Sequence, residues 1–372
     1  MDREVTDTAA ASGLEGVEAA RTAISDVDGE RGRLTIAGQD VEALAARASF
    51  EDVCILLWDG RLPDDGESAP FRRALGRARV HAYEELAGLG SALQAADGMD
   101  ALRAAVAHLT VTGDESEDRV RVTAATAVFA AAWCRIRAGL APLAPDPTLA
   151  HAADYLRMAT GRAERAAALE AYLVTVAEHG MNASTFAARV VASTGSDLVS
   201  SVVAGIGTLK GPLHGGAPGL VLDMLDAIGA PERAAGWIDG ELRAGRRLMG
   251  MGHRIYRVRD PRAAVLEKAV AALEQADVAG SRLRLARATE SAAQKALAAR
   301  HADRPLRTNV EFYTAVLLEA VGLPREAFTP TFAVGRVAGW CAHVAEQRRV
   351  GKLIRPSATY VGPLPAPDPA NP

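Results

Sequence analysis

Two histidines lie in glycine-rich stretches, His214 in Gly211-Pro-Leu-His214-Gly-Gly216 and His253 in Met249-Gly-Met-Gly-His253-Arg-Ile-Tyr256. Glycines beside a histidine mark backbone that turns sharply or lets another molecule approach closely, and an imidazole held there can exchange a proton near neutral pH. Proton transfer is the chemistry this pattern offers; for either stretch alone an ordinary turn is the alternative. A third candidate is Glu311 in Thr308-Asn309-Val-Glu311-Phe-Tyr313. Asn309 precedes an apolar helical series (Phe312, Val316, Leu317, Ala320) that ends at Gly322 and Pro324, which reads as a capped helix with Glu311 in its first turn. The helix dipole favours the carboxylate there, whereas burial in a cleft would raise its pKa and make it a usable general base. A favourable charge at a helix start is the simpler alternative.

The elements that must position these residues are mostly helical. From Ala183 to Leu209, Phe186, Val190, Val191, Leu198, Val202 and Ile206 recur at roughly helical spacing, with Ala187, Ala188 and Gly195 between them. Further helical candidates are Arg119 to Arg137, Arg162 to Glu178, Ala230 to Ala244, Pro261 to Gln275 and Leu283 to Arg300. One extended element stands out, Arg33 to Ala37, read as part of a short N-terminal hairpin. Leu62 to Gly66, Gly113 to Glu117, Pro142 to Pro147 and the proline-rich tail after Pro363 read as loops or linkers. No internal repeat is evident, and composition and periodicity predict an all-α protein.

With 372 residues, 49% of them hydrophobic, the chain is long enough for two domains with sizeable cores. A net charge of −4 provides no basic footprint for nucleic acid. Cys54, Cys134 and Cys341 are far apart, which suggests neither a disulfide framework nor a zinc site. The polar, acidic start is unlike a signal or transit peptide, and no apolar run is long enough to span a bilayer, so a cytoplasmic location without membrane contact is expected.

Six motifs in one order resemble the citrate synthase family, over a stretch from about Gly13 to Pro363. Glu178-His179-Gly-Met-Asn182-Ala-Ser-Thr185 is similar to its first histidine motif and Leu209-Lys-Gly-Pro-Leu-His214-Gly-Gly to its second. Arg247-Leu-Met-Gly-Met-Gly-His253-Arg-Ile-Tyr, continuing to Asp260-Pro-Arg262, resembles the third. Asn309-Val-Glu311-Phe-Tyr resembles the acidic motif, Phe332-Ala-Val-Gly-Arg336-Val-Ala-Gly-Trp340 the late helix and Arg355-Pro-Ser-Ala-Thr-Tyr360 the closing segment.

The resemblance implies a two-domain helical fold, with a large domain formed by residues 1–215 and 323–372 and a small one inserted at 216–322. It implies a homodimer with the active site between the domains. The reaction implied joins acetyl-CoA to oxaloacetate and hydrolyses the thioester, with the acyl-CoA as co-substrate and no tightly bound cofactor. Glu311 would be the base, His214 a neutral donor to the enolate oxygen, and His253 the acid that polarises the ketone. His179, Arg262, Arg336 and Arg355 would bind oxaloacetate, Arg355 reaching across from the partner subunit; guanidinium groups suit carboxylates because they make two parallel hydrogen bonds. Arg336 shares a helical face with Trp340 and His343, which points to burial. Leu248, Met249, Gly250, Met251 and Gly252 would lie against the CoA adenine. No metal is called for, since histidines supply the electrophilic assistance.

The chain departs from the family pattern at three places. Glu311 replaces the usual aspartate, Ala217-Pro-Gly219 replaces Ala-Asn-Glu, and Ile36-Ala-Gly-Gln39 stands where Tyr-Arg-Gly-Tyr is common. Two alternatives accompany the citrate synthase reading: a 2-methylcitrate synthase using propionyl-CoA, with the same catalytic set, and a low-activity paralogue that senses oxaloacetate or CoA.

Overall fold

In a computed structural model the chain is described at residue 14 and over residues 16–215, 217–252, 255–276, 280–300 and 306–363. It opens with a small antiparallel sheet in the order β1 (Ser25–Asp28), β2 (Arg33–Ile36), β3 (Gln39–Asp40). Ser25 pairs with Ile36 and Asp28 with Arg33, so the first two strands form the expected hairpin, extended by a short third strand.

Helices follow. The first six are α1 (Val41–Ala45), α2 (Phe50–Asp59), α3 (Asp65–Glu84), α4 (Gly98–Ala107), α5 (Glu115–Arg137) and α6 (His151–Thr160). Then come α7 (Ala166–Val176), α8 (Ala183–Ser193), α9 (Leu198–Leu209), α10 (Ala217–Ile228) and α11 (Ala234–Arg243). The last four are α12 (Pro261–Gln275), α13 (Gly280–Arg300), α14 (Val310–Ala320) and α15 (Phe328–Val350). The all-α expectation with a small N-terminal sheet holds.

The core centres on α5 and α15. A helix apolar on every side belongs inside a protein, and in α5 every residue from Val122 to Cys134 is buried. Its alanines let neighbours approach closely, while Trp133 donates its indole N–H to the Ala95 carbonyl at 3.0 Å. Residues 333–344 of α15 are likewise all buried, and among them are Arg336, Trp340 and His343, as their shared face predicted.

Several boundaries differ from the sequence expectation for identifiable reasons. The apolar series from Ala183 to Leu209 is two helices, because Gly195 adopts φ +82° and Asp197 caps α9 by accepting from Ser200 N–H. A left-handed stop and a capping aspartate together outweigh continuous apolar spacing. Asp64 and Asp114 act as N-caps, so α3 and α5 begin inside segments that read as loops. The candidate at Arg162 to Glu178 is helical only over α7, and a 3₁₀ turn, Pro231–Arg233, precedes α11. Pro261 to Gln275 is α12 as expected, with Asp260 as its cap and Pro261 at its first position.

Candidate active site

A cavity of about 390 Å³ gathers residues from seven places in the chain, one of them the segment of Gly252 and Ile255. Tyr172 and Val176 come from α7, His179 and Asn182 from the link to α8, and His214 from the turn after α9. Arg262 enters from the first turn of α12, Glu311 from that of α14, and Phe332 and Arg336 from α15. Ends of helices dominate this set because a helix start presents side chains and unsatisfied N–H groups at a defined place.

Two buried arginines give the cavity a cationic wall. Arg336 is 1% exposed, and its Nε donates to the Val176 carbonyl at 2.6 Å while its guanidinium lies 4.8 Å from the centre of the Phe332 ring. Nη2 of Arg336 is buried without a hydrogen-bond partner among the described residues. Burial pushes the Arg336 pKa down to about 10, against the pull of Glu178, and the charge of Arg262 adds to the fall. Arg262, 5% exposed, is anchored by Asp260 through Nη2 at 2.8 Å and Nε at 3.1 Å. Burying two like charges beside one cavity is costly; a dianion between them would offset that cost and fill the open N–H. His179, 7% exposed, completes this cationic and polar wall, and its Nε2 lies 3.1 Å from the Tyr256 hydroxyl.

His214 is held as a neutral donor. The Ser184 backbone N–H donates to its Nε2 at 3.4 Å, and a backbone N–H can only donate. That N–H favours Nε2 as the acceptor and Nδ1 as the proton carrier, while the single Ser184 hydroxyl proton is shared between Nε2 and Asn182 Oδ1, each 2.8 Å away. The Ser184 hydroxyl also lies 2.8 Å from Nε2 and accepts from the Trp340 indole N–H at 3.1 Å, which ties the imidazole to the core. Burial, followed by the charge of Arg336, lowers the His214 pKa to about 4, so the ring is neutral at pH 7.

Glu311 occupies the first turn of α14, as its spacing predicted, with Asn309 Oδ1 accepting from the N–H groups of Glu311 at 3.0 Å and Phe312 at 3.4 Å. Burial raises its pKa above the ordinary carboxylate value, Arg262 opposes this, Asp260 adds to it, and the bond from Asn309 opposes it. Burial prevails over the helix start, which gives this carboxylate more proton affinity than a surface glutamate and suits it to act as a base.

The other sequence candidates fall as follows. Of the segment Leu248 to Gly252, only Gly252 lines the cavity among the described residues. Leu248 is buried in a separate apolar cluster with Ile238, Ala293 and Leu297, and Met249 and Met251 pack on apolar cores. Gly250, at φ +74°, sits against Phe312, where a Cβ would be 2.8 Å from that side chain's own. Asn309 Nδ2 donates to the Gly252 carbonyl at 2.8 Å, linking this segment to the start of α14. Arg355 is exposed in the irregular segment after α15 and does not line the cavity within one chain. His253 lies outside the described residues.

Residues 13–357 match the family described as Citrate synthase, C-terminal domain. The chain belongs to the citrate synthase family. It is 40% identical over 360 residues to "Putative citrate synthase 2" of Mycobacterium tuberculosis (strain ATCC 25618 / H37Rv), covering 95% of this chain and 93% of that protein. The crystal structure of citrate synthase from Thermotoga maritima MSB8 superposes with a TM-score of 0.83 at 36% identity, over 95% of this chain and 96% of that one. A citrate synthase from Thermoplasma acidophilum, solved as a ternary complex with carboxymethyl coenzyme A and oxaloacetate, superposes with a TM-score of 0.84 at 28% identity over 95% of this chain and 97% of that one.

Several residues that shape this citrate synthase family site carry no signal in the sequence that marks them. Ser184 stands within the first histidine motif, but nothing in the motif identifies it as the partner that sets the His214 tautomer. Tyr256, 3% exposed, touches both His179 and Arg262, whose guanidinium lies 5.8 Å from its ring centre. Its place three residues after His253 is plain in the sequence; its contacts with the His179 segment and α12 are not. Leu213 and Ile255 line the cavity while remaining exposed, at 102% and 46%.

Proposed function

We propose that this chain condenses acetyl-CoA with oxaloacetate and hydrolyses the resulting thioester to citrate and CoA. The observation that carries the reading is one cavity lined by two buried arginines, one with an open N–H, together with a neutral histidine donor and a buried carboxylate. The Thermoplasma acidophilum relative, with oxaloacetate and a CoA analogue in its complex, supports the same substrates for this chain.

The chemistry follows from these groups. Arg262, Arg336 and His179 hold the carboxylates of oxaloacetate by charge-assisted hydrogen bonds. Glu311 takes a proton from the thioester methyl group as the Nδ1–H of His214 donates to the developing enolate oxygen. The methylene carbon then bonds to the ketone carbon of oxaloacetate, whose oxygen His253 polarises and protonates. Water cleaves the thioester, releasing CoA thiol and citrate, which makes the sequence hard to reverse. Leu248 to Gly252 lie along the CoA adenine, largely through backbone, since Leu248 and both methionines are engaged in packing. Arg355 reaches the site of the partner subunit of a homodimer, and residues 216–322 form the small domain that closes on the large one. The chain works in the cytoplasm, without nucleic acid or membrane.

The direct test mixes purified protein with oxaloacetate and either acetyl-CoA or propionyl-CoA, following thiol release and identifying the product by mass spectrometry. Citrate formation, faster with acetyl-CoA, is expected. A propionyl preference moves the assignment to 2-methylcitrate synthesis, and oxaloacetate binding without thiol release from either donor leaves a sensor.

The pH profile supplies an independent check on the base. Glu311 works ionised, so kcat/KM is expected to fall as pH drops through its pKa, which burial places above the ordinary carboxylate value. His214 titrates only at about 4, and its neutral form is already complete above that limb. Substituting His214 should therefore lower the whole profile without moving the acidic limb; a limb that disappears in the His214 variant would assign it to the imidazole.

A further inference from the structure

We propose that the turn of the N-terminal hairpin, residues 29–32, is a positioning element of the dicarboxylate site. It holds the segment from Ile255 to Arg259, and through Tyr256 it sets how His179 and Arg262 present themselves. The inference deepens the oxaloacetate reading and rests on it where substrate affinity is concerned.

The contact is backbone against backbone. The Gly29 carbonyl accepts from the Arg257 N–H at 2.9 Å. A Cβ at Gly29 would stand 2.4 Å from the Ile255 carbonyl oxygen, closer than any side-chain carbon tolerates. Gly29 does not adopt a positive φ, so space rather than conformation demands glycine there. At Gly32 both apply: φ is +62°, and a Cβ would meet Val258 Cγ2 at 2.5 Å and the Arg259 carbonyl at 2.8 Å. An exposed hairpin turn needs neither fit for its own sake.

The other end of β1 holds the opposite flank of the site. Ser25 Oγ donates to Glu178 Oε1 at 2.9 Å and accepts from the Gly180 N–H at 3.1 Å, bracketing His179 on both sides. One strand thus ties the His179 segment at its start and the Tyr256 segment at its turn. Between the two lies the bond from Tyr256 to His179 at 3.1 Å, with the Tyr256 ring against Arg262. A shift of the turn displaces Tyr256, and with it two of the side chains that face the substrate anion. Gly29, Gly32 and Tyr256 act through His179 and Arg262 and are positioning residues.

The test compares Gly29→Ala, Tyr256→Phe, their double variant and Gly38→Ala. Gly38, in the turn between β2 and β3 at φ +81°, has nothing within 4 Å of a built Cβ, so alanine there strains the same sheet without touching the Ile255 segment. Thermal unfolding, oxaloacetate calorimetry, steady-state kinetics and ligand-free hydrogen exchange are read on each. Because charge-assisted hydrogen bonds to a carboxylate weaken when their donors are misaligned, Gly29→Ala should weaken oxaloacetate binding about tenfold or more and raise its KM, with a much smaller change in kcat. Gly38→Ala should lower the melting temperature yet bind as the parent does. Tyr256→Phe should weaken binding, and the double variant should be no weaker than Gly29→Ala, since both changes act through one contact. Exchange at residues 255–259 should rise in Gly29→Ala alone of the two glycine variants.

Unchanged affinity and exchange in Gly29→Ala, equal losses in Gly38→Ala, or additive losses in the double variant would each overturn the proposal. If Gly29→Ala does not fold, Ser25→Ala takes its place: weakened binding that does not add to Tyr256→Phe supports the brace, and unchanged binding overturns it. Failure of the parent chain to bind oxaloacetate would count against the reading of the site, leaving hydrogen exchange to decide whether the brace exists.

Discussion

Glu311→Gln is expected to lower kcat by about a thousandfold or more while oxaloacetate binds as before, because a positioned general base typically contributes about 10²–10⁴. The substitution keeps size and shape, and the Asn309 cap bonds to the backbone N–H of residue 311, so α14 starts as it does now. What disappears is a carboxylate whose burial gives it proton affinity beyond that of a surface glutamate. Thiol release and oxaloacetate calorimetry on the same preparation separate the two effects, and unchanged turnover would remove Glu311 from the mechanism. Glu311→Asp restores the residue usual in the family but withdraws the carboxylate by one methylene. If α14 is set for the longer side chain, that variant loses about a hundredfold in rate, the scale expected for misplacement near 1 Å. A faster Glu311→Asp enzyme would show that the helix start did not shift to suit glutamate.

The second large effect is expected at His214. His214→Ala should cost about 10²–10³ in kcat, equivalent to roughly 3–4 kcal/mol of transition-state stabilisation, with little change in oxaloacetate affinity. The donor is worth this much because it is preorganised: Nε2 is occupied by the Ser184 N–H, which leaves Nδ1–H to donate without a tautomer change. Ser184→Ala, which retains the backbone N–H, should therefore lose far less than His214→Ala. Single-turnover measurements check both. An equal loss in the two variants would show that the hydroxyl, and not the backbone N–H, holds the tautomer.

Features encoded by near neighbours along the chain are legible in the sequence alone. Asn309 and the apolar series after it mark α14 and place Glu311 in its first turn. Asp260-Pro261 marks the start of α12, and the spacing of Arg336, Trp340 and His343 marks one buried face of α15. Caps and periodicity are local properties, decided within a turn or two of helix. For the same reason Gly195 and Asp197 contain the break between α8 and α9, though apolar spacing by itself conceals it. The ordered motifs point to the chemistry as well as the family.

Tertiary structure decides how those residues meet. The Arg336 bond to Val176 joins positions 160 residues apart, His179 and Tyr256 are 77 apart, and Ser184 and His214 are 30 apart. No local pattern encodes such approaches, because they depend on how whole helices pack and which ends come together. Packing also turns ordinary residue types into a site: it buries two arginines at one cavity, drives His214 to its neutral form and raises the proton affinity of Glu311. The residue types and their order are determined by the sequence itself. Their altered charge states, the open guanidinium N–H and the hairpin turn pressed against Ile255 arise only when distant segments exclude water from one another.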